Sequence, residues 1–143
     1  MKKLLFILGF ILSFQSYTTI AGEIDSLLAV YENSETEEEK SANAVELSTY
    51  YKRINLDSSF YFAEVSVGHA KKTGDNYHMA NSLNSLGNAY NTKGQLGIAL
   101  TLFLEALEYA GAANDNNKLA RINNNIGIVY YNQDDMDKAL DHF

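Results

Sequence analysis

Four asparagines lie three or four residues apart in a stretch whose apolar residues have helical spacing: Asn81, Asn84, Asn88 and Asn91. Asparagine costs an interior helix position up to roughly 0.7 kcal/mol relative to alanine, so their repetition needs a reason. The spacing places all four side chains on one face of the predicted helix. Because an amide offers both a donor and an acceptor, such a face can bind the backbone of an extended peptide.

The histidines and acidic residues lack the spacing of a metal or catalytic site. His78 has no partner four residues away, as a helical zinc pair requires. Met136 interrupts the acids Asp134, Asp135 and Asp137, so they do not form the alternating ligands of a calcium loop. The sequence also lacks a nucleophile elbow and a glycine-rich phosphate loop. We therefore expect no catalytic residue, metal or cofactor in this segment.

The composition narrows the class of protein further. Beyond residue 21 the chain has 9 Lys and Arg against 18 Asp and Glu, a net charge of −9. An acidic chain without a basic stripe argues against direct nucleic-acid binding. The absence of cysteine excludes disulfides and thiol chemistry, and the absence of proline favours uninterrupted helices.

The first 21 residues have the layout of a secretory signal peptide. Lys2 and Lys3 precede an apolar run over 4–14, and a small-residue cleavage pattern follows at 19–21. The apolar run is too short to cross a bilayer as a stable helix. We expect cleavage before Gly22 and export, most simply to a periplasm.

The elements that position the asparagines belong to an internal repeat. A shift of 40 residues aligns 80–103 with 120–143, with identities at seven positions of the first copy: Ala80, Asn84, Gly87, Tyr90, Ala99, Leu100 and Phe103. The pattern predicts helices at about 23–33, 37–53, 57–73, 76–92, 96–112, 116–132 and from 136 onward.

Cap residues mark the ends of these predicted helices. Asp75 and Asp115 are expected as N-caps, and Gly74, Gly94 and Asn114 as left-handed residues after helix ends. Two mid-helix glycines, Gly87 and Gly127, predict close crossings with the following helix, with Ala99 or Ala139 facing them.

The repeat resembles the tetratricopeptide repeat. The middle unit has Leu83, Leu86-Gly87, Tyr90, Ala99 and Phe103 at that family's spacing, and the last has Asn123, Ile126-Gly127, Tyr130, Ala139 and Phe143. The chain departs from the family pattern in its missing tryptophan, its missing closing proline and its longer period. The resemblance implies an all-α, right-handed α-solenoid over 42–143, with units at about 42–75, 76–115 and 116–143, after an N-terminal helix and acidic linker at 22–41. Because the last unit is truncated, we expect a fragment.

In that family the first helix of each unit lines a concave groove. The resemblance therefore implies a peptide- or protein-binding groove formed by nine residues: Asn81, Asn84, Asn88, Asn91, Arg121, Asn124, Asn125, Ile128 and Tyr131. Two alternatives remain open for the asparagines. They are merely solvated, or they bond to one another between repeats and set the register.

The functional expectation is an exported protein-binding domain. The layout resembles the N-terminal sensory regions of bacterial sensor histidine kinases and transcriptional regulators. This resemblance implies a membrane span and a kinase or DNA-binding output domain beyond Phe143. It is also compatible with a homodimer. The segment itself is not expected to be an enzyme. The alternative is a free-standing periplasmic scaffold without an output domain.

Overall fold

The computed structural model of the protein describes residues 20–143, and these residues form helices and no strand. The predicted signal peptide lies outside the described residues except for its last two. The helices are α1 (20–32), α2 (Glu37–Tyr51), α3 (Leu56–Thr73), α4 (Asn76–Thr92), α5 (Leu96–Ala112), α6 (Asn116–Asn132) and α7 (Met136–His142). The predicted bounds are confirmed within three residues for α1–α3 and without change for α4–α6.

Side-chain caps begin α2, α3, α4, α6 and α7, whereas α5 has none. The carboxylates of Asp75 and Asp115 accept hydrogen bonds from the backbone N–H groups of His78 and Lys118, at 3.0 and 2.9 Å. Both predicted N-caps are therefore confirmed. Thr36 forms a reciprocal capping box with Glu39 at the start of α2.

Left-handed residues end several helices. Gly74, Gly94 and Asn114 have φ values of 67°, 74° and 54°, as predicted. Asp134, one repeat after Gly94, also has a positive φ of 61°, which the sequence did not reveal. Short polar side chains tolerate this conformation better than other non-glycine residues.

The order of helix contacts defines the architecture. Each helix from α2 to α7 packs against its neighbours in sequence, and in addition α2 contacts α4 and α4 contacts α6. Among residues 20–143, the second helices α3, α5 and α7 do not contact one another in this way. The array is therefore an all-α helical solenoid with α2, α4 and α6 on the inside of its curve.

Two apolar clusters hold the array together. The larger one runs from α3 through α6 and contains Leu83, Phe103, Ile122 and Ile126, all nearly inaccessible. In the smaller one, Leu27, Leu28 and Tyr31 of α1 pack against Leu47 and Phe62 of the first repeat, so α1 covers that end of the array.

The mid-helix glycines accommodate phenylalanine rings. A Cβ at Gly87 would lie 2.6 Å from the ring of Phe103, and one at Gly127 would lie 2.7 Å from the ring of Phe143. The close crossings are thus confirmed, and the nearest atoms to each glycine position belong to a phenylalanine ring. The aromatic ring occupies the space of the missing Cβ because protein interiors are close-packed. None of the helices described within 20–143 is long and apolar enough to cross a bilayer.

Candidate functional site

A polar depression crosses the inner helices α2, α4 and α6. It consists of a small cavity of about 110 Å³ and an adjoining one of about 450 Å³. Lys52, Asn88 and Arg121 line both cavities, so the two form one continuous surface, the inner depression. Each of these three residues comes from a different repeat.

The inner depression collects six of the nine predicted site residues. They are Asn81, Asn84, Asn88, Arg121, Asn124 and Asn125. Their side chains come together because α4 and α6 are neighbours on the inside of the array. Their role in binding stays a prediction.

The remaining three predicted residues do not line the inner depression. Tyr131 is exposed and Ile128 is half-buried, both farther along α6. Asn91 lies near the end of α4, and its Oδ1 atom is buried without a hydrogen-bond partner among the described residues. The depression runs across α2, α4 and α6 and not along any one of these helices. The predicted faces of α4 and α6 therefore extend beyond it.

Two of the four asparagines on α4 bind to the next repeat. The Oδ1 of Asn84 accepts a hydrogen bond from Nδ2 of Asn125 at 2.8 Å, and Asn84 is only 6% exposed. The Oδ1 of Asn81 accepts one from Nζ of Lys118 at 3.3 Å. For Asn84, whose partner is another asparagine, the geometry agrees with the register-setting alternative, whereas the partner of Asn81 is a lysine.

Similar contacts join the first repeat to the second. The hydroxyls of Ser41 and Ser82 are 3.0 Å apart, and those of Ser48 and Ser85 are 3.2 Å apart, all of them buried. The pairs are separated by 41 and 37 residues, as are Asn84–Asn125 and Asn81–Lys118 respectively. We call these four contacts the inter-repeat ladder. It satisfies buried polar groups between helices that otherwise pack through small or apolar residues.

Lys118 is the charged member of this ladder. It is 7% exposed, its Nζ lies 3.9 Å from the centre of the Tyr77 ring, and burial lowers its pKa despite the opposing effect of Asp115. The sequence did not mark this lysine, because its equivalent in the middle repeat is a histidine, His78, and no local pattern indicates that the lysine side chain reaches back to α4.

The amides of Asn88 and Asn124 are not used in the ladder. Within residues 20–143 neither side chain forms a hydrogen bond to another protein group, and both line the inner depression. They therefore offer their donors and acceptors to a ligand. Lys52 follows directly after α2 and was missed by sequence reasoning, because the first repeat was too divergent to place it opposite Arg121.

A second polar cluster joins α1 to the first repeat. Nδ1 of His69 lies 2.6 Å from Oε2 of Glu37, and its Nε2 lies 3.2 Å from the hydroxyl of Tyr31. The hydrogen bond from His69, aided by Lys72, lowers the pKa of Glu37, whereas burial raises the pKa of Tyr31. The cluster lies away from the inner depression and fastens α1 onto α2 and α3.

The repeats match a known protein family. A family model described as tetratricopeptide repeat matches residues 69–143. The matched stretch includes α4 and α6, which carry the asparagines of the inner depression, and both glycine–phenylalanine contacts. No curated protein matches the chain at a significant level.

Proposed function

Since the chain belongs to the tetratricopeptide repeat family, whose members in general mediate protein–protein interaction, we propose that it binds an extended segment of a partner protein in the inner depression. The free amides of Asn88 and Asn124 would hydrogen-bond the backbone of that segment. Arg121 and Lys52 would contact its side chains. The observation that carries the proposal is the convergence of these four side chains, from three successive repeats, on one surface.

Site-specific photo-crosslinking tests the proposal. We would incorporate p-benzoylphenylalanine in place of Asn88 or Asn124, irradiate cells that express the protein, and identify covalent adducts by mass spectrometry. The matched controls carry the same group in place of Thr101 or Glu105, which are exposed on the second helix α5 and do not line the depression. We expect one partner polypeptide to crosslink from positions 88 and 124 only. Equal yields from the control positions, or adducts from those alone, would contradict the proposal.

The same proposal includes an exported, sensory role. We propose that residues 1–21 direct the chain to the periplasm and that the repeats are the input part of a larger signalling protein. The signal-peptide pattern and the protein-binding type of repeat support this role. Cell fractionation with N-terminal sequencing of the mature protein tests the export, and a mature chain that starts at Gly22 is expected.

The coding sequence after Phe143 tests the sensory part. A membrane span followed by a kinase or DNA-binding domain is expected. A stop codon soon after a further polar helix would instead support a free-standing periplasmic scaffold, with the same binding surface but no output.

A further inference from the structure

We infer that two copies of the chain pair through the outer face of α5, with the two α5 helices antiparallel about a two-fold axis. The inference goes beyond the proposed function and does not depend on it. It follows from three features of α5: an exposed apolar face, a first turn without a carboxylate, and a spacing of residues that is complementary to itself.

The outer face of α5 is less polar than the same face of the other second helices. Four exposed residues form one stripe along it, opposite the buried residues of the helix: Gly97, Thr101, Leu104 and Glu108. We call them the outer stripe. Leu104 is 44% exposed, and Ile98 beside the stripe is 48% exposed. The repeat places Glu64 of α3 at the position equivalent to Leu104, so a charge found on α3 is replaced by an apolar side chain on α5.

The polar group in the middle of the outer stripe needs no outside partner. The hydroxyl of Thr101 donates a hydrogen bond to the backbone carbonyl of Gly97 at 3.1 Å. A second protein surface can therefore cover Thr101 and Leu104 without leaving this hydroxyl unsatisfied. The face is suited to burial, although nothing among residues 20–143 covers it.

The start of α5 lacks a carboxylate that the other second helices have. Among residues 20–143, α5 has neither a side-chain N-cap nor an acidic residue in its first turn. Asp57 in α3 and Asp137 in α7 occupy the first-turn positions equivalent to Gly97. The N–H groups of a first turn carry partial positive charge and are stabilised by an anion. A Cβ placed at Gly97 would meet nothing within 4 Å, so a carboxylate from outside can reach this turn.

A second copy supplies that carboxylate when its α5 runs in the opposite direction. The spacing of the outer stripe is four, three and four residues, which is the same in both directions. With the two-fold axis midway between Thr101 and Leu104, each of these residues faces the other one in the second copy. Glu108 of each copy then faces Gly97 of the other, at the uncapped first turn. A shift by one residue loses both pairings, and in a two-fold contact each pairing occurs twice.

The size and charge of the contact predict a weak pair. One helix against one helix buries less than the roughly 1,200 Å² of a stable interface. The net negative charge of the chain, with 18 acidic and 11 basic residues, also opposes association. We therefore expect a dissociation constant between about 1 µM and 1 mM. The pair leaves the inner depression of each copy open, because the depression lies on α2, α4 and α6.

Sedimentation equilibrium of the purified chain tests the pairing. Over about 10 µM to 2 mM protein, a range that brackets the expected affinity, the average mass should rise from that of a monomer toward that of a dimer. A monomer at every concentration would overturn the inference.

Charge variants test which residues face each other. Gly97→Glu places a second carboxylate opposite Glu108 of the other copy and should weaken pairing at least about tenfold. Adding Glu108→Lys to the same chain replaces this repulsion by attraction and should restore the affinity to within about threefold of the wild type. The two positions are eleven residues apart on one helix, about 16 Å, so the restoration can only occur between copies.

Gly68→Glu in α3 is the matched control. Gly68 is also exposed, a Cβ placed there would also meet nothing within 4 Å, and the substitution makes the same change in net charge. It should pair as the wild type does. Equal weakening by Gly97→Glu and Gly68→Glu would overturn the inference, and so would a folded double variant that stays monomeric. Thermal unfolding checks the fold, and Gly97→Glu should unfold no earlier than the wild type, because an acidic residue suits a first turn better than glycine does.

Disulfide trapping tests the antiparallel arrangement without charged variants, and so decides the question if the double variant fails to fold. The chain has no cysteine, so Thr101→Cys and Leu104→Cys each introduce a single thiol. In an oxidised equal mixture, the mixed 101–104 dimer should exceed what random pairing predicts, because the two-fold axis brings these positions together. Intact-mass spectrometry identifies the dimers. Random proportions, or an excess of 101–101 and 104–104 dimers, would overturn the antiparallel pair.

The pairing and the proposed function can fail separately. In the crosslinking experiment above, position 101 should give an adduct with a second copy of the chain, which differs in mass from an adduct with the partner polypeptide. If the chain is monomeric but positions 88 and 124 capture a partner, the pairing is wrong and the proposed function stands. If the chain dimerises as described and those positions capture nothing, the pairing stands and the proposed function is wrong.

Discussion

The middle and last repeats carry matching residues at the same spacing, yet they differ in burial. Phe103 is completely buried, whereas its equivalent Phe143 is 64% exposed. Leu100 packs against the core, whereas its equivalent Leu140 is 66% exposed. The difference arises because α6 covers the middle repeat, and no described helix covers α6 and α7 on the other side. In a solenoid, a residue's contribution to stability depends on the neighbouring repeat as much as on its own motif.

Truncation of the two phenylalanines should give the largest difference between the repeats. Phe103→Ala opens a cavity in the core and should lower the free energy of unfolding by about 3–5 kcal/mol. Phe143→Ala removes a mostly exposed ring and should cost about 1 kcal/mol or less. Urea unfolding followed by circular dichroism measures both. Similar losses at the two sites would show that the last repeat is covered in solution.

The matching glycines should differ in the same direction. In Gly87→Ala the new Cβ meets a buried ring that has no room to move, so we expect a loss of about 1–3 kcal/mol. In Gly127→Ala the exposed ring of Phe143 can turn away, and the better helix propensity of alanine offers up to about 1 kcal/mol of stabilisation. The same unfolding measurement compares the variants, and a gain of stability in Gly87→Ala would refute the assigned contact.

The amide pair between the repeats should couple energetically. Asn125→Ala leaves the buried Oδ1 of Asn84 without its donor and should cost about 1–3 kcal/mol. Asn84→Ala should cost less, about 1 kcal/mol, because the half-buried amide of Asn125 can turn to water. A double-mutant cycle measures the coupling, with Asn88→Ala and Asn124→Ala as the control pair. Zero coupling at 84 and 125 would remove that pair from the ladder.

The smallest expected effect is a pH dependence at the start of α7. The side chain and backbone N–H of Lys138 donate to Asp135 and hold its pKa below the ordinary value of 3.8. Because the folded pKa is the lower one, this stabilisation is complete well above pH 3.8 and is lost as the pH falls through the folded value. An NMR titration of the Asp135 carboxyl should therefore show a midpoint below 3.8, and Lys138→Ala should raise it. A midpoint that Lys138→Ala leaves unchanged would exclude the lysine as its cause.

Much of the local structure could be predicted from the sequence. The bounds of α4–α6, the N-caps Asp75 and Asp115 and the left-handed Gly74 follow from side chains within a few residues of each helix end. The sequence could also predict that Asn84 and Asn125 share one surface, because the repeat places them on neighbouring inner helices. Their hydrogen bond was not, since a repeat alignment pairs Asn84 with Asn124 rather than with its actual partner.

Sequence by itself determined the helices, their caps and the repeat, because these depend on contacts within about four residues and on a 40-residue period. Only the tertiary structure decided which amides are used in the fold and which are free. It also decided that a phenylalanine ring fills the space at each mid-helix glycine, and that Lys52 shares a surface with Arg121. The physical reason is that these contacts depend on the rotation and offset of one repeat against the next. That geometry results from packing across the whole interface and is not encoded at any single position.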